Sequence, residues 1–210
     1  TASTIKIAVM IEAFARVTEG KAKWTDEVVL TKEKKVSGSG ILNELSDGLK
    51  LTLRDAVNLM MILSDNTATN LVLDVLTTDA VNARMESLGF KQIKIMRKVG
   101  SGGESAAGKD PELKKYGLGM ATPREMVLVM EKLERGEIIS PAVSKEMIEL
   151  MKREQGRNAI GRSLSIPATR GSPRSGFRPG SSRAVLRRRP SGFPFRGKRR
   201  SRASPRRSIR

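Results

Sequence analysis

Residues 64–70 of this 210-residue chain read Ser-Asp-Asn-Thr-Ala-Thr-Asn and follow a segment with the apolar spacing of a helix. Thr52 and Asp55 have the spacing of a capping box, so we expect that helix to begin just after Thr52. The buried face of the predicted helix consists of Leu53, Val57, Met60 and Met61. The sequence therefore predicts a polar turn directly after a well-bounded helix that ends near Ser64.

A second polar motif lies 61 residues upstream, where residues 3–6 read Ser-Thr-Ile-Lys at the start of a helix predicted over residues 4–17. Ser3 and Lys6 are three residues apart, so their side chains share one face of a helix. A neutral lysine amine in that position can take the proton of a serine hydroxyl. Taken alone, the first motif is more often a helix cap and the second a polar turn. Together they indicate acyl transfer by a serine whose base is a lysine.

The composition excludes several other kinds of active site. The chain contains no histidine and no cysteine. A Ser-His-Asp triad, a cysteine nucleophile paired with histidine and a histidine zinc site are therefore all excluded. We expect neither a metal ion nor a cofactor.

Charge divides the chain near Gly156. Residues 1–156 contain 23 Lys and Arg and 22 Asp and Glu, whereas residues 157–210 contain 17 Lys and Arg and no acidic residue. The second part is rich in Arg, Ser, Pro and Gly and has neither a helical nor a strand period, so we predict that it is disordered. The predicted organisation is a catalytic domain over residues 1–156 and a tail over residues 157–210.

The remainder of the first part predicts a mainly helical domain. Its expected elements are an extended segment over residues 24–30, helices over 67–76 and 79–88, and a strand over 92–96. Residues 97–120 are predicted to form one long glycine-rich loop. Two further helices begin at Thr122-Pro123 and at Ser140-Pro141, where a capping residue precedes a first-turn proline. The first of these two helices is predicted to bury Met126, Val129, Met130 and Leu133.

The order of these motifs resembles that of the class A β-lactamase family of penicillin-recognising serine hydrolases. The resemblance rests on the separation of the two motifs and on LSDGLKLTLRD at residues 45–55, AVNARMESLG at 80–89 and ATP at 121–123. It implies an α/β (α+β) fold of the β-lactamase/transpeptidase type, in which the active site lies between a helical lobe and an antiparallel sheet flanked by helices. The family's first and last strands have no counterpart here. We therefore expect mainly the helical lobe, with most of the sheet missing.

The resemblance also implies roles for individual residues. Ser3 would be acylated by a small-molecule β-lactam, and Lys6 and Ser64 would transfer protons. Asn66 would bind the substrate amide and Lys6, while Asp65 would be structural and anchor the turn. The implied location is the periplasm or the cell exterior. The chain carries no signal peptide, and we expect that an upstream segment is missing.

One departure from the family concerns the loop that carries its deacylating glutamate. Counting along the chain places Val99 at that position, so Glu104 is the candidate base if the loop is rebuilt. The alternative interpretation of Glu104 is a solvated loop charge. Asn70 would brace this omega loop. Without a base, acylation could occur while hydrolysis of the acyl-enzyme would be slow.

The third family motif, Lys-Thr/Ser-Gly, has only a weak counterpart in the tail. Arg174 could replace the lysine that faces the substrate carboxylate, with Ser175 beside it, although proline-rich sequence around them is not typical of a central strand. Three functions stay open: a serine β-lactamase-like hydrolase, a catalytically impaired fragment that still binds penicillin, and a protein whose tail binds polyanions. We expect a monomer with no membrane span and no specific nucleic-acid partner.

Overall fold

The computed structural model describes residues 1–100 and 102–155. The predicted tail, including Arg174 and Ser175, lies outside the described residues. The helices are α1 (Lys6–Thr18), α2 (Leu53–Ile62), α3 (Asn66–Leu76), α4 (Thr78–Ser87), α5 (Ala106–Lys109), α6 (Pro123–Glu134) and α7 (Pro141–Met151). The strands are β1 (Glu27–Val29), β2 (Lys50–Thr52), β3 (Lys94–Ile95) and β4 (Gly119–Met120). Short 3-10 segments cover Ser3–Ile5, Lys32–Lys34, Leu42–Glu44 and Pro111–Tyr116.

Helix α1 lies at the centre of the fold. It packs against α2, α3, α4 and α7. Its residues Val9, Met10, Ile11 and Ala13 are fully buried. Each large apolar side chain in such a position contributes about 2 kcal/mol of transfer free energy. Because α1 is enclosed on several sides, the position of its first residue, Lys6, is fixed by the core.

A buried carboxylate ties α1 to two neighbouring helices. Glu12 accepts from Arg16 Nε and from Arg84 Nε, both at 2.8 Å. Arg16 also donates to the carbonyl of Leu76 at 2.8 Å, at the end of α3. Two guanidinium groups thus compensate one buried charge, which would be costly if it were unpaired. The helical period of the sequence gave no sign of this pairing, because Arg84 is 72 residues from Glu12.

The strands form two separate antiparallel pairs within the described residues. β1 pairs with β2, so that Val28 lies opposite Leu51, and β3 pairs with β4, so that Lys94 lies opposite Met120. This small strand content agrees with the expectation of a helical lobe from which most of the sheet is missing. No helix in the described part of the chain is long and apolar enough to cross a membrane.

Most of the expected helix boundaries are confirmed to within two residues. The capping box is present, because Asp55 N–H donates to Thr52 Oγ1 at 3.1 Å and Thr52 N–H donates to Asp55 Oδ2 at 3.2 Å. The helix predicted over residues 4–17 begins later, at Lys6, because the 3-10 segment Ser3–Ile5 precedes it.

Two expectations about the second half of the domain are wrong. Residues 97–120 are not one loop, since they contain α5, a 3-10 segment and β4. The short helical pieces form because Ser105 and Asp110 cap them. Met130 is 43% exposed, whereas Val129 is buried. The two residues are consecutive and point about 100° apart on the helix, and the buried face of α6 includes Val129 and Leu133 but not Met130.

Candidate active site

The site is built around the turn between α2 and α3. Ser64 has a φ of 54°, a left-handed conformation that is uncommon for a residue with a side chain. The backbone N–H of Asp65 donates back to the carbonyl of Leu59 at 3.2 Å and holds this turn. In this conformation the carbonyl and hydroxyl oxygens of Ser64 both lie within hydrogen-bond distance of the Lys6 amine. Strained backbone of this kind is often found at functional sites.

Three oxygen atoms surround the amine of Lys6. Lys6 is only 2% exposed. Its Nζ lies 2.5 Å from the carbonyl oxygen of Ser64, 3.0 Å from Ser64 Oγ and 3.0 Å from Asn66 Oδ1. These acceptors match the three N–H groups of an ammonium ion. A neutral amine also fits, because it can donate to two of the oxygens and accept a hydrogen bond from the Ser64 hydroxyl.

Burial makes this lysine a weaker base than usual. Removal of its charged form from water lowers the pKa of Lys6 from 10.5 to about 8, and the charge of nearby Asp65 opposes that change without cancelling it. With that pKa, roughly a tenth of the Lys6 amines are neutral at pH 7 and about half are neutral at pH 8. A pKa close to the working pH is what general base catalysis requires.

Asp65 joins the turn to a second part of the chain. It is only 1% exposed. Its Oδ1 caps α3 by accepting from Ala68 N–H at 2.8 Å, and its Oδ2 accepts from Ile41 N–H at 2.7 Å and Leu42 N–H at 2.9 Å. Three backbone groups therefore depend on one carboxylate, which is the arrangement expected of the structural anchor predicted from the sequence.

Ser3 lies in the 3-10 segment that precedes α1, and it is exposed. The backbone N–H of Lys6 donates to the carbonyl of Ser3, so the two residues are one turn apart. Within the described residues, no hydrogen bond joins the Ser3 hydroxyl to Lys6, Ser64 or Asn66. The structure thus brings Lys6, Ser64 and Asn66 together. Ser3 lies one turn before Lys6 and is open to solvent.

Asn70 holds the loop that follows β3. Its Nδ2 donates to the carbonyl of Val99 at 3.0 Å, and Val99 N–H donates to Asn70 Oδ1 at 2.9 Å. This pair of hydrogen bonds fixes the backbone at residue 99. The sequence resemblance calls for a glutamate at this position. The valine side chain there cannot accept a proton.

Glu104 is exposed, and its side chain has no hydrogen bond or ion pair among the described residues. The backbone beside it is held, because the Thr78 hydroxyl donates to the carbonyl of Gly103 at 2.9 Å. No hydrogen bond or ion pair links Glu104 to Lys6 or Ser64 in the described part of the chain. The role of Glu104 as a base remains a prediction, as do the roles of Arg174 and Ser175, which lie outside the described residues.

The sequence matches the model of a β-lactamase enzyme family over residues 1–177. The chain belongs to this family. A β-lactamase from Sphaerobacter thermophilus is 38% identical, with a TM-score of 0.66 and coverage of 77% of this chain and 58% of that chain. A mutant class A β-lactamase of the last common ancestor of Gram-negative bacteria is 27% identical, with a TM-score of 0.60 and coverage of 73% and 56%. A search among curated proteins gives no match.

A third solved relative is a mutant of PBP-A in an acyl-enzyme complex with penicillin G. It is 25% identical, with a TM-score of 0.60 and coverage of 73% of this chain and 53% of that chain. The present β-lactamase family member therefore spans between half and three fifths of the length of these relatives. The expected β-lactamase/transpeptidase-like fold, present mainly as the helical lobe, is confirmed.

Sequence reasoning missed one part of the site in this β-lactamase family member. Residues 37–40 read Ser-Gly-Ser-Gly, which is typical of a loop, and their backbone contacts the turn at residues 64–66. The carbonyl of Ser37 accepts from Asn66 Nδ2 at 3.1 Å, and the carbonyl of Ser39 accepts from Asn66 N–H at 2.9 Å. The only signal in the sequence is the pair of closely spaced glycines.

Proposed function

We propose that this β-lactamase family member opens the β-lactam ring through an acyl-enzyme on Ser3. The Ser3 hydroxyl oxygen attacks the lactam carbonyl carbon, and an ester forms as the ring C–N bond breaks. Ser3 loses its proton and the ring nitrogen gains one. The chemistry needs a base for the first proton and an acid for the second.

The observation that carries the proposal is the buried Lys6 amine and its oxygen partners. A lysine with a pKa of about 8 has a neutral fraction at physiological pH and can take the Ser3 proton. Ser64 Oγ is 3.0 Å from Lys6 Nζ, so the hydroxyl can receive a proton from the amine and pass its own to the ring nitrogen. Lys6 and Ser64 together supply both of the required proton transfers.

Asn66 supports the binding of an amide-bearing substrate. Its Oδ1 accepts from Lys6, and one of its two amide N–H groups donates to the carbonyl of Ser37. The second N–H group is left to donate to a substrate carbonyl. This arrangement suits β-lactams that carry an acylamino side chain, and we propose them as the substrate class.

A second candidate function is retention of the acyl group, as in a penicillin-binding protein. The observation that favours it is Val99, whose backbone Asn70 fixes at the position where the resemblance calls for the deacylating glutamate. A positioned general base contributes about 10²- to 10⁴-fold to a hydrolytic step, so its loss would leave the ester on Ser3 long-lived. The formation of the ester on Ser3 and its hydrolysis must therefore be measured as separate steps.

The acyl-enzyme is tested by intact-mass spectrometry of the full chain after incubation with benzylpenicillin. We expect the native chain to gain the mass of one penicillin molecule and the Ser3→Ala variant to gain none. Ser46→Ala, which removes an exposed serine elsewhere, is the matched control and keeps the adduct. If the native chain shows neither an adduct nor turnover of a chromogenic β-lactam, or if Ser3→Ala still forms the adduct, the proposal fails.

The same experiment separates the two candidate functions. Turnover of the chromogenic substrate without a stable adduct supports hydrolysis, whereas a persistent adduct with slow turnover supports retention. We also propose a periplasmic or secreted location and a monomeric state for the protein. Binding of polyanions by the arginine-rich tail stays a hypothesis about residues outside the described part of the chain.

A further inference from the structure

The loop of residues 37–40 contacts the site but has no part in the proton transfers proposed above. Its two serine carbonyls accept from Asn66, one from the side chain at 3.1 Å and one from the backbone at 2.9 Å. The next two backbone N–H groups after the loop, those of Ile41 and Leu42, donate to Asp65. The loop and the two residues after it are therefore hydrogen-bonded to Asn66 and Asp65, two consecutive residues of the turn beside Lys6.

The Ser37 carbonyl determines which way round the Asn66 amide lies. A carbonyl can only accept, so the amide group that faces it must be the NH₂ group. The oxygen Oδ1 then faces Lys6, at 3.0 Å from Nζ. If the amide were rotated by 180°, its NH₂ group would face the N–H groups of Lys6 and its oxygen would face the Ser37 carbonyl. Both hydrogen bonds would be lost, and the N–H group available to substrate would move.

Glycine at position 38 allows this close approach. Gly38 has a φ of 104°, and a Cβ added there would lie 2.6 Å from Asn66 Nδ2. That separation is too short for a carbon and a nitrogen that are not bonded, so any side chain at position 38 displaces the Asn66 amide or the loop. Gly48 has a similar φ of 84°, but a Cβ added there meets no atom within 4 Å.

We propose that the loop of residues 37–40 orients the Asn66 amide for acylation, and that Gly38 is the positioning residue on which this orientation depends. The proposal rests on the proposed function, since its kinetic effect is measured on acylation of Ser3. Gly38 itself touches neither the reacting atoms nor Lys6. It acts through Asn66, and the tests must therefore separate that path from simple loss of stability.

The first test compares acylation rates of two glycine variants. Displacing a catalytic group by about 1 Å can slow a reaction about 100-fold, so we expect Gly38→Ala to be acylated by benzylpenicillin about 100-fold more slowly than the native chain. Gly48→Ala carries comparable backbone strain without the contact and is expected to stay within about twofold of native. Equal rates for Gly38→Ala and the native chain would overturn the proposal and leave the proposed function standing.

The second test is a double-mutant cycle with Asn66→Ala. This change removes the Nδ2 atom with which a side chain at position 38 would clash. If Gly38→Ala acts through the amide, it adds no more than about twofold to the slowing already caused by Asn66→Ala. If Gly38→Ala acts through general strain in the loop, it slows acylation by the full factor in the Asn66→Ala protein as well, and the positioning role is excluded.

A third measurement does not depend on acylation. In ¹⁵N-labelled protein, the signal of the Asn66 side-chain amide is assigned by its loss in Asn66→Ala. We expect that signal to shift in Gly38→Ala and to stay in place in Gly48→Ala, and an unshifted signal in Gly38→Ala would overturn the proposal even if the native chain proved inert to penicillin. If Gly38→Ala does not fold, Gly38→Asn keeps the same test, because Asn adopts positive φ more readily.

Discussion

Two parts of the site are held in different ways. The first, which we call the lysine cradle, consists of residues 37–42 and 64–66 together with Lys6. Its buried amine and its buried carboxylate each have three hydrogen-bond partners. The second, which we call the base loop, consists of residues 97–105. Asn70 binds its backbone at Val99, and Thr78 binds it at Gly103. Its side chains also form contacts, because Lys98 pairs with Asp74 and Ser105 donates to the carbonyls of Ile95 and Met96. None of these contacts involves the carboxylate of Glu104.

This difference has a chemical meaning. The lysine cradle fixes side chains that can transfer protons, and preorganised groups of this kind lower a reaction barrier. The base loop fixes a backbone path and presents an apolar side chain at residue 99, while its carboxylate at residue 104 is exposed. The lysine cradle holds groups suited to the proposed ester formation on Ser3, whereas no base for the hydrolysis of that ester is assembled among the described residues.

The largest expected effect concerns the anchor of the lysine cradle. Asp65→Ala leaves three backbone N–H groups without an acceptor, at least two of them buried, and we expect it to lower the free energy of unfolding by about 4 kcal/mol. Asp55→Ala is the matched control, since Asp55 also serves a helix start but is exposed, and its loss should cost about 1 kcal/mol. Urea unfolding of both variants measures the difference. Equal losses would mean that burial of Asp65 contributes nothing, and the contrast between the two parts would weaken.

The second prediction supplies the base loop with a carboxylate. Val99→Glu places an acceptor for protons on the backbone that Asn70 fixes, and we expect the penicillin adduct to be hydrolysed about 100-fold faster than in the native chain. Adduct lifetime is followed by intact-mass spectrometry after removal of free penicillin.

Glu104→Gln is the control for that experiment. Because Glu104 is exposed and unbonded within the described residues, we expect its substitution to change the adduct lifetime by less than about twofold, as is usual for an exposed loop charge. A marked increase in adduct lifetime in Glu104→Gln would instead assign the base to Glu104, and the base loop would then be a working part of the site.

The sequence predicted those features that depend on neighbouring residues. Helix starts at Thr52, Thr122 and Ser140 follow from caps and first-turn prolines, which act within one turn of chain. The polar turn at Ser64 and the spacing of Ser3 and Lys6 are of the same kind. The family resemblance assigned Lys6 and Ser64 to one site, and the structure places Lys6 Nζ 3.0 Å from Ser64 Oγ, although 58 residues separate them.

Some features that the sequence did not predict depend on backbone atoms or on the lack of a side chain at a glycine. The carbonyls of Ser37 and Ser39 carry no residue-specific signal, because every residue has a carbonyl. The role of Gly38 becomes visible only when the distance from its position to Asn66 is known. The ion pairs of Glu12 with Arg84 likewise require that α1 and α4 be packed together, which periodicity alone does not specify.

A further prediction tests whether the lysine cradle excludes water. The pKa of Lys6 is lower in the folded protein, at about 8, than its ordinary value of 10.5. Between pH 8 and pH 10.5, the Lys6 side chain binds more protons in the unfolded chain than in the folded one. The contribution of Lys6 to the free energy of unfolding therefore rises with pH across this window and is lowest below pH 8. We expect the free energy of unfolding to rise by about 2 kcal/mol between pH 7.5 and pH 9.5 from this residue.

Substitution isolates that contribution from those of other titrating groups. Lys6→Met keeps an unbranched side chain and removes the charge, so the rise with pH is lost, whereas Lys23→Met, at an exposed lysine, keeps it. Urea unfolding of the native chain and of both variants at the two pH values gives the three differences to be compared. If Lys6→Met retains the full rise, the folded protein solvates the Lys6 ammonium as well as water does. The lysine cradle would then resemble the exposed base loop, and Lys6 would hold its proton too firmly at neutral pH to serve Ser3 as a base.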